Sequence, residues 1–348
     1  MESVVIDGSK GEGGGQILRT SLALACITGK SLRIENIRAA RRNPGLAKQH
    51  LACVQASREI SGGQCHGATL SSKVLDFEPG TIRGGNFHFD IGSAGSASLV
   101  VQTVLPALFL ADKPSSITVT GGTHNPLAPP VDFLSETFLP GIATAGFEAN
   151  CELLKHGFFP AGGGKIMFEI QPWQESASGG RRTIDLCEPD EQIQIRARIY
   201  TAKLPAHIAQ RQEKLLLQSK LNIQNIEHTE VTDSDGPGNC AMIRLSGSSP
   251  KVGTTVFTAF GMRGKPSEKV ISEVVSLAED FLASGAAVDR FLADQLLVYM
   301  AMSKGGCYTT NEPSSHLLTN MEIIKKFLPV DFCVDGQKEV YRICCQGR

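Results

Sequence analysis

The chain repeats itself, and that recurrence limits its architecture more than any other property. Ala23-Leu24 returns as Ala107-Leu108, and Asn43-Pro44 returns as Asn125-Pro126, offsets of 84 and 82 residues. Markers that hold their spacing over so long an interval imply one supersecondary pattern used more than once. The first copy reads as a glycine-rich loop at 11–15, a helix, a strand at 31–37 and the polar loop RAARRNPG. A helix at 46–60 and short strands at 68–71 and 74–77 complete it. In the second copy GSAGS at 92–96 opens a helix, 116–120 is a strand, and THNPLAPP is the polar loop. A helix at 133–145, a strand at 149–155 and a glycine turn at 162–164 follow.

A third copy is interrupted. After the low-complexity hinge ESASGGRR, residues 184–265 keep their own order of strands and one helix and read as a small inserted α/β domain. Its DSDGPGN segment begins like a calcium loop but lacks the later ligands, so it reads as a turn. The helix at 267–284 is expected to return to the third copy, followed by a helix at 287–303, a short strand, the polar loop NEPSSHLLTN and a helix from Met321. The expected class is α/β (α+β), in repeated βαβαββ-like units. The expected division is a large catalytic part (1–183 and 266–348) and an insert (184–265).

Glycine at 11, 13, 14 and 15 removes side chains just before a helical apolar pattern at Ile17, Leu18, Leu22 and Leu24. Such a loop lets a helix's N-terminal N–H groups approach an anion. Neither familiar phosphate fingerprint fits. Leu24 stands where a Walker motif needs its first glycine, and Gly11-x-Gly13 runs on to Gln16 where a dinucleotide motif needs glycine.

Composition excludes little but does exclude some classes. With 41 % apolar and 20 % charged residues the chain is ordinary for a globular protein, and no apolar run is long enough for a membrane span. Net charge is −1, so no global field calls for a nucleic-acid partner. Locally, six cations (Lys30, Arg33, Arg38, Arg41, Arg42, Lys48) face one acid, Glu35, which reads either as a solvated face or as an anion-binding patch. Ten cysteines lack paired spacing and mostly sit in apolar contexts, the pattern of free thiols in a reducing cytoplasm; Cys344-Cys345 is the exception, read only as packing in the tail.

His316 is the chemically suggestive residue. It lies in PSSHLLTN, the polar stretch that corresponds to the two asparagine-proline loops. No HxxxH, HExxH or Cys/His cluster suggests a transition metal, and no GxSxG elbow suggests acyl transfer. An imidazole among arginines and anion-holding loops points to phosphorus chemistry, and neutral imidazole is a competent nucleophile near its reference pKa of roughly 6.5.

Six segments in order, EGGGQILR (12–19), IRAAR with NPGL and QH (37–50), GSAGS with QTVLP (92–106), GGT with NPLAPP (121–130), FLADQL (291–296) and SSHLLTN (314–320), resemble the RNA 3'-terminal phosphate cyclases of bacterial type. The resemblance spans nearly the whole chain. It implies three units like the C-terminal domain of translation initiation factor 3 plus an inserted domain. It also implies an ATP-dependent enzyme that converts an RNA 3'-phosphate to a 2',3'-cyclic phosphodiester, releasing AMP and pyrophosphate.

By the same resemblance His316 is the nucleophile that becomes adenylylated. Gln102, Pro129, Phe291, Leu292, Ala293, Asp294 and Gln295 hold the nucleotide. Glu12 lies at a Mg²⁺ or Mn²⁺ ion, and Arg19, Arg38, Arg41 and Gln49 surround the phosphates and the RNA end. Partners would be ATP and RNA with a 3'-phosphate, with no membrane, a cytoplasmic location, and a homodimer as a candidate state. Two positions depart from the pattern: Phe291 replaces a tyrosine, and Ala40 replaces the glycine of IRAGR, which matters only if that residue needs positive φ. Two other readings remain: a non-catalytic RNA-binding paralogue of the same fold, and an enolpyruvyl-transferase.

Overall fold

A computed structural model of the chain describes residues 3–173, 182–247, 253–337 and 339–347. All but the last residue of the ESASGGRR hinge therefore lies outside the described residues.

The first sheet forms from β1 (Ser3–Asp7), β2 (Ser31–Glu35), β3 (Gln64–His66) and β4 (Leu75–Glu78), in the order β1-β2-β4-β3. β1 and β2 are parallel, joined by α1 (Gly15–Thr28); α2 (Lys48–Ser61) leads to the antiparallel pair. Residues 68–71, expected as a strand, form turns instead, and the second-last strand starts earlier, at Gln64. Both helices stop at a left-handed glycine, Gly29 (φ 68°) and Gly62 (φ 61°), where any other residue would be strained.

The second sheet has the same order and strand senses: β5 (Asn86–Asp90), β6 (Ser115–Gly121), β8 (Gly164–Ile170) and β7 (Ala149–Lys155). Its helices are α3 (Ala97–Leu108), α4 (Val131–Phe133) and α5 (Leu139–Ala143), the last two joined by the π-helical segment Leu134–Phe138. In the third sheet β9 (Ile184–Leu186) lies parallel to β14 (Gly306–Thr310), followed by β16 (Val340–Gly347) and β15 (Val330–Gln337), both antiparallel. Its helices are α8 (Arg290–Met302) and α9 (Ser315–Phe327).

Ile184–Leu186, expected to open the insert, thus belongs to the third sheet. The intervening sheet is β11 (Ile223–Glu230), β10 (Gln194–Ala202), β12 (Gly238–Ser246) and β13 (Thr254–Phe260), with α6 (Ala206–Leu217). α7 (Ser267–Ser284), expected to rejoin the third unit, packs on this sheet: Val270, Ile271, Val274, Ala278 and Phe281 share a core with Ile199, Ile243 and Phe257. An amphipathic helix needs an apolar partner, and the nearer open face belongs to the insert.

The other face of that sheet, through Tyr200, Met242 and Val256, joins the main core with Ile17, Leu22, Val104, Phe138, Leu296 and Ile324. Helices from different units pack together: α1 on α9, α2 on α3, and α8 on α5. One cysteine expectation fails. Cys307 and Cys344 oppose each other on β14 and β16 and form a disulfide, while the other cysteines are free.

Candidate active site

The α1–α9 junction brings together residues about 300 positions apart. Glycines at 14 and 15 allow it: a Cβ at Gly14 would stand 2.3 Å from a Glu12 carboxylate oxygen, and one at Gly15 would stand 2.3 Å from His50 Nε2. Glu12 is nearly buried, with 4 % of its side chain exposed; Oε2 accepts from Arg41 Nη2 at 2.9 Å and Oε1 caps the Gln16 N–H at 3.1 Å. Its own N–H donates to Thr319 Oγ1 on α9 at 3.2 Å, and Thr20 Oγ1 donates to Asn320 Oδ1 at 2.7 Å, fixing the two helices in register.

His316 is not in a loop. It occupies the second position of α9, whose N-cap Ser314 accepts from Leu317 N. The same position is Gln49 in α2 and Asp132 in α4. His316 Nδ1 hydrogen-bonds Gln16 Oε1 and lies 3.9 Å from Glu12 Oε2. Gln16 Nε2 donates to Asp294 Oδ2 at 3.3 Å, and Asn320 Nδ2 donates to the Asp294 carbonyl at 3.1 Å. An amide whose N–H₂ is committed to a carboxylate presents its oxygen at the other end, so Nδ1 of His316 carries the proton and Nε2 keeps its lone pair.

The electrostatics keep that ring neutral. Burial lowers the His316 pKa; Glu12 opposes this, and Arg19, Arg41 and Arg290 reinforce it. Asp294 is pushed up to about 7 by burial against the opposing bond from Gln16 and the charge of Arg19. His50, beside Gly15 and Arg19, is driven down to about 3 by burial and then by Arg19, Arg38 and Arg41, so it stays uncharged.

Other expected residues are distributed unevenly. Arg38 sits at φ 56° and donates from Nη1 to the Gly45 carbonyl at 2.8 Å, holding the polar loop closed. Gln49 faces the second glycine loop, accepting from Ser96 N at 3.1 Å, and Lys48 Nζ donates to the Gly92 carbonyl. Gln102 donates to Gln295 Oε1, and Gln295 donates to the Phe291 carbonyl, so three expected nucleotide residues form one chain of contacts. Phe291 is exposed (41 %), whereas Leu292 and Ala293 are wholly buried in the core and open no surface to a ligand. Pro129 is half-buried, immediately before the N-cap Pro130 of α4. Ala40 does not take positive φ, so its replacement of glycine causes no strain. Gln16, Thr319 and Asn320 were not singled out from the sequence, although they lie inside the quoted segments EGGGQILR and SSHLLTN.

A second polar cluster joins the second sheet to the insert. His124 Nε2 bonds Asp132 Oδ2 at 2.9 Å, and Tyr200 Oη donates to Asp132 Oδ1 at 3.0 Å. Burial pushes Asp132 up, but these bonds outweigh it and hold the carboxyl at about 2. The DSDGPGN turn holds Lys155 through Asp235 and His156 through Asp233.

The sequence model for RNA 3'-terminal phosphate cyclase matches residues 10–334. The chain belongs to the RNA 3'-terminal phosphate cyclase family. A curated RNA 3'-terminal phosphate cyclase from Koribacter versatilis is 44 % identical, over 100 % of this chain and 96 % of the relative. Those from Ralstonia nicotianae and Pseudomonas fluorescens are 44 % and 43 % identical, covering 97 % and 95 % of this chain and 94 % of each relative. Among solved structures, an EPSP synthase from Acinetobacter baumannii aligns at 10 % identity with a TM-score of 0.30, over 99 % of this chain and 48 % of that one, too low a score to carry an argument. No helix among the described residues of this cyclase-family chain is long and apolar enough to cross a membrane.

Proposed function

We propose that this chain uses ATP to convert an RNA 3'-terminal phosphate into a 2',3'-cyclic phosphodiester through a histidine-AMP intermediate. The observation that carries the reading is the Asp294–Gln16–His316 hydrogen-bond chain, which leaves Nε2 unprotonated and half-exposed at a helix N-terminus among arginines.

In the first step the Nε2 lone pair attacks the α-phosphorus and pyrophosphate departs. Arg19 and Arg41 offset the charge on the leaving oxygens, and Phe291 with Gln295 and Gln102 receives the base. In the second step the RNA 3'-phosphate takes the adenylate from Nε2, giving RNA(3')pp(5')A and restoring the imidazole. The neighbouring 2'-hydroxyl then displaces AMP. Ring closure within one molecule gains on the order of 7–11 kcal/mol over a bimolecular encounter, and DNA lacks the hydroxyl.

Glu12 suits Mg²⁺ or Mn²⁺, since such ions take one or two carboxylates and complete their shell with phosphates and water. A bound ion would neutralise charge on the triphosphate. On this reading the three sheets with their helices are copies of a unit like the C-terminal domain of translation initiation factor 3. They form the catalytic part, with the boundaries 1–183 and 266–348 moved so that β9 joins the third sheet and the insert runs from after β9 through α7.

Incubation with α-labelled ATP and a divalent ion is expected to label the protein, and His316→Ala to abolish the label. Equal labelling of that variant would remove the assignment.

A further inference from the structure

Arg290 is the first residue of α8, next to the buried N-cap Asp289, and no role follows for it from the family resemblance. Its guanidinium lies over the Phe291 ring, 5.6 Å from the centroid, and Nη1 pairs with Glu312 Oε2. Glu312 sits in the loop between β14 and α9, and its carbonyl accepts from the N–H of Ser314, the cap of the helix that presents His316. The Arg290 charge is also felt at His316. The other arginines felt at the imidazole, Arg19 and Arg41, come from the first unit; Arg290 comes from the third, set against the Phe291 ring and paired into the loop that leads to His316.

That position has a chemical consequence, which rests on the proposed reaction. If the base lies on Phe291 and the α-phosphorus meets Nε2, the ribose and α-phosphate must span the space between them. Arg290 lies on Phe291 at one end, and its partner Glu312 belongs to the loop that leads to His316 at the other. Its present partner is a carboxylate with 45 % of its side chain exposed, and Arg290 is itself 36 % exposed. Such pairs hold weakly, whereas a planar guanidinium can take two phosphate oxygens at once. We propose that Arg290 is an α-phosphate-binding residue that exchanges Glu312 for the nucleotide when ATP enters.

Single-turnover labelling with α-labelled ATP tests this on the full chain, using Arg290→Gln, Arg290→Lys and Glu312→Gln. Arg290→Gln is expected to raise the ATP concentration for half-maximal labelling about tenfold and to weaken inhibition by AMP equally, with inhibition by adenosine unchanged. Arg290→Lys is expected to recover only part of the loss, because an ammonium lacks the fork. Glu312→Gln, which frees the guanidinium, is expected to need no more ATP than wild type. Unchanged ATP and AMP dependence in Arg290→Gln would overturn the proposal. So would a loss in Glu312→Gln equal to that in Arg290→Gln, which would make the pair a structural tie. Absence of label on the wild-type protein would instead sink the reaction on which the proposal stands.

Discussion

Asp294 carries a measurable cost that its replacement should release. Its carboxyl titrates at about 7 in the folded chain against a reference of 3.8, because burial outweighs the bond from Gln16 and the nearby Arg19 charge. A raised carboxyl pKa means that the folded chain holds the proton more tightly than the unfolded one. The penalty is therefore absent below about pH 4, grows as the unfolded state ionises first, and is complete above about pH 7. The interval corresponds to at most roughly 4 kcal/mol, and screening by the solvent that the half-buried side chain still meets reduces it to about half of that. Asp294→Asn keeps the shape and an oxygen for Gln16 Nε2 but cannot ionise. Urea unfolding of both proteins from pH 4 to pH 9 should show the variant gaining on wild type by about 2 kcal/mol, almost all of it between pH 4 and pH 7. A difference between the two that is flat across that range would refute the buried-carboxylate account.

Two further outcomes follow from the same geometry. Gln16→Leu removes the acceptor that fixes the His316 tautomer, so single-turnover adenylylation should slow by about 10²- to 10⁴-fold while a thermal melt still shows a folded protein. A rate within twofold of wild type would mean that another group orients the ring. Tyr200→Phe leaves the buried Asp132 carboxylate without one of its donors, which should cost about 1–3 kcal/mol in unfolding free energy; an unchanged midpoint would show that the insert does not depend on this contact.

The segments that carry the family resemblance made much of the candidate site legible. Glu12, Arg19, Arg41, Asp294 and His316 were all named before the geometry, and α1–α9 packing brings them within reach of one another. The start of α9 was misread because its apolar rhythm begins only at Leu317, while Ser314 and Ser315 read as loop; the cap, not the periodicity, sets the boundary. Gln16 escaped notice because a neutral amide has no titration or charge pattern to mark it, and its role exists only once Asp294 and His316 lie on either side. The partner of α7 was equally hidden. An amphipathic face announces that it will be covered, not by which sheet. Cys307 and Cys344, 37 residues apart, are paired only by strand register, which no spacing rule encodes.

The second residue of the second helix has three fates in this chain. At Gln49 it ties one unit to the next, at Asp132 it anchors the insert beneath Tyr200 and His124, and at His316 it stays open to solvent. On the proposed reading, what covers each of these three helix starts decides which of them can react. An imidazole grafted onto Asp132 is expected to stay silent, because Tyr200 and His124 already close over that position.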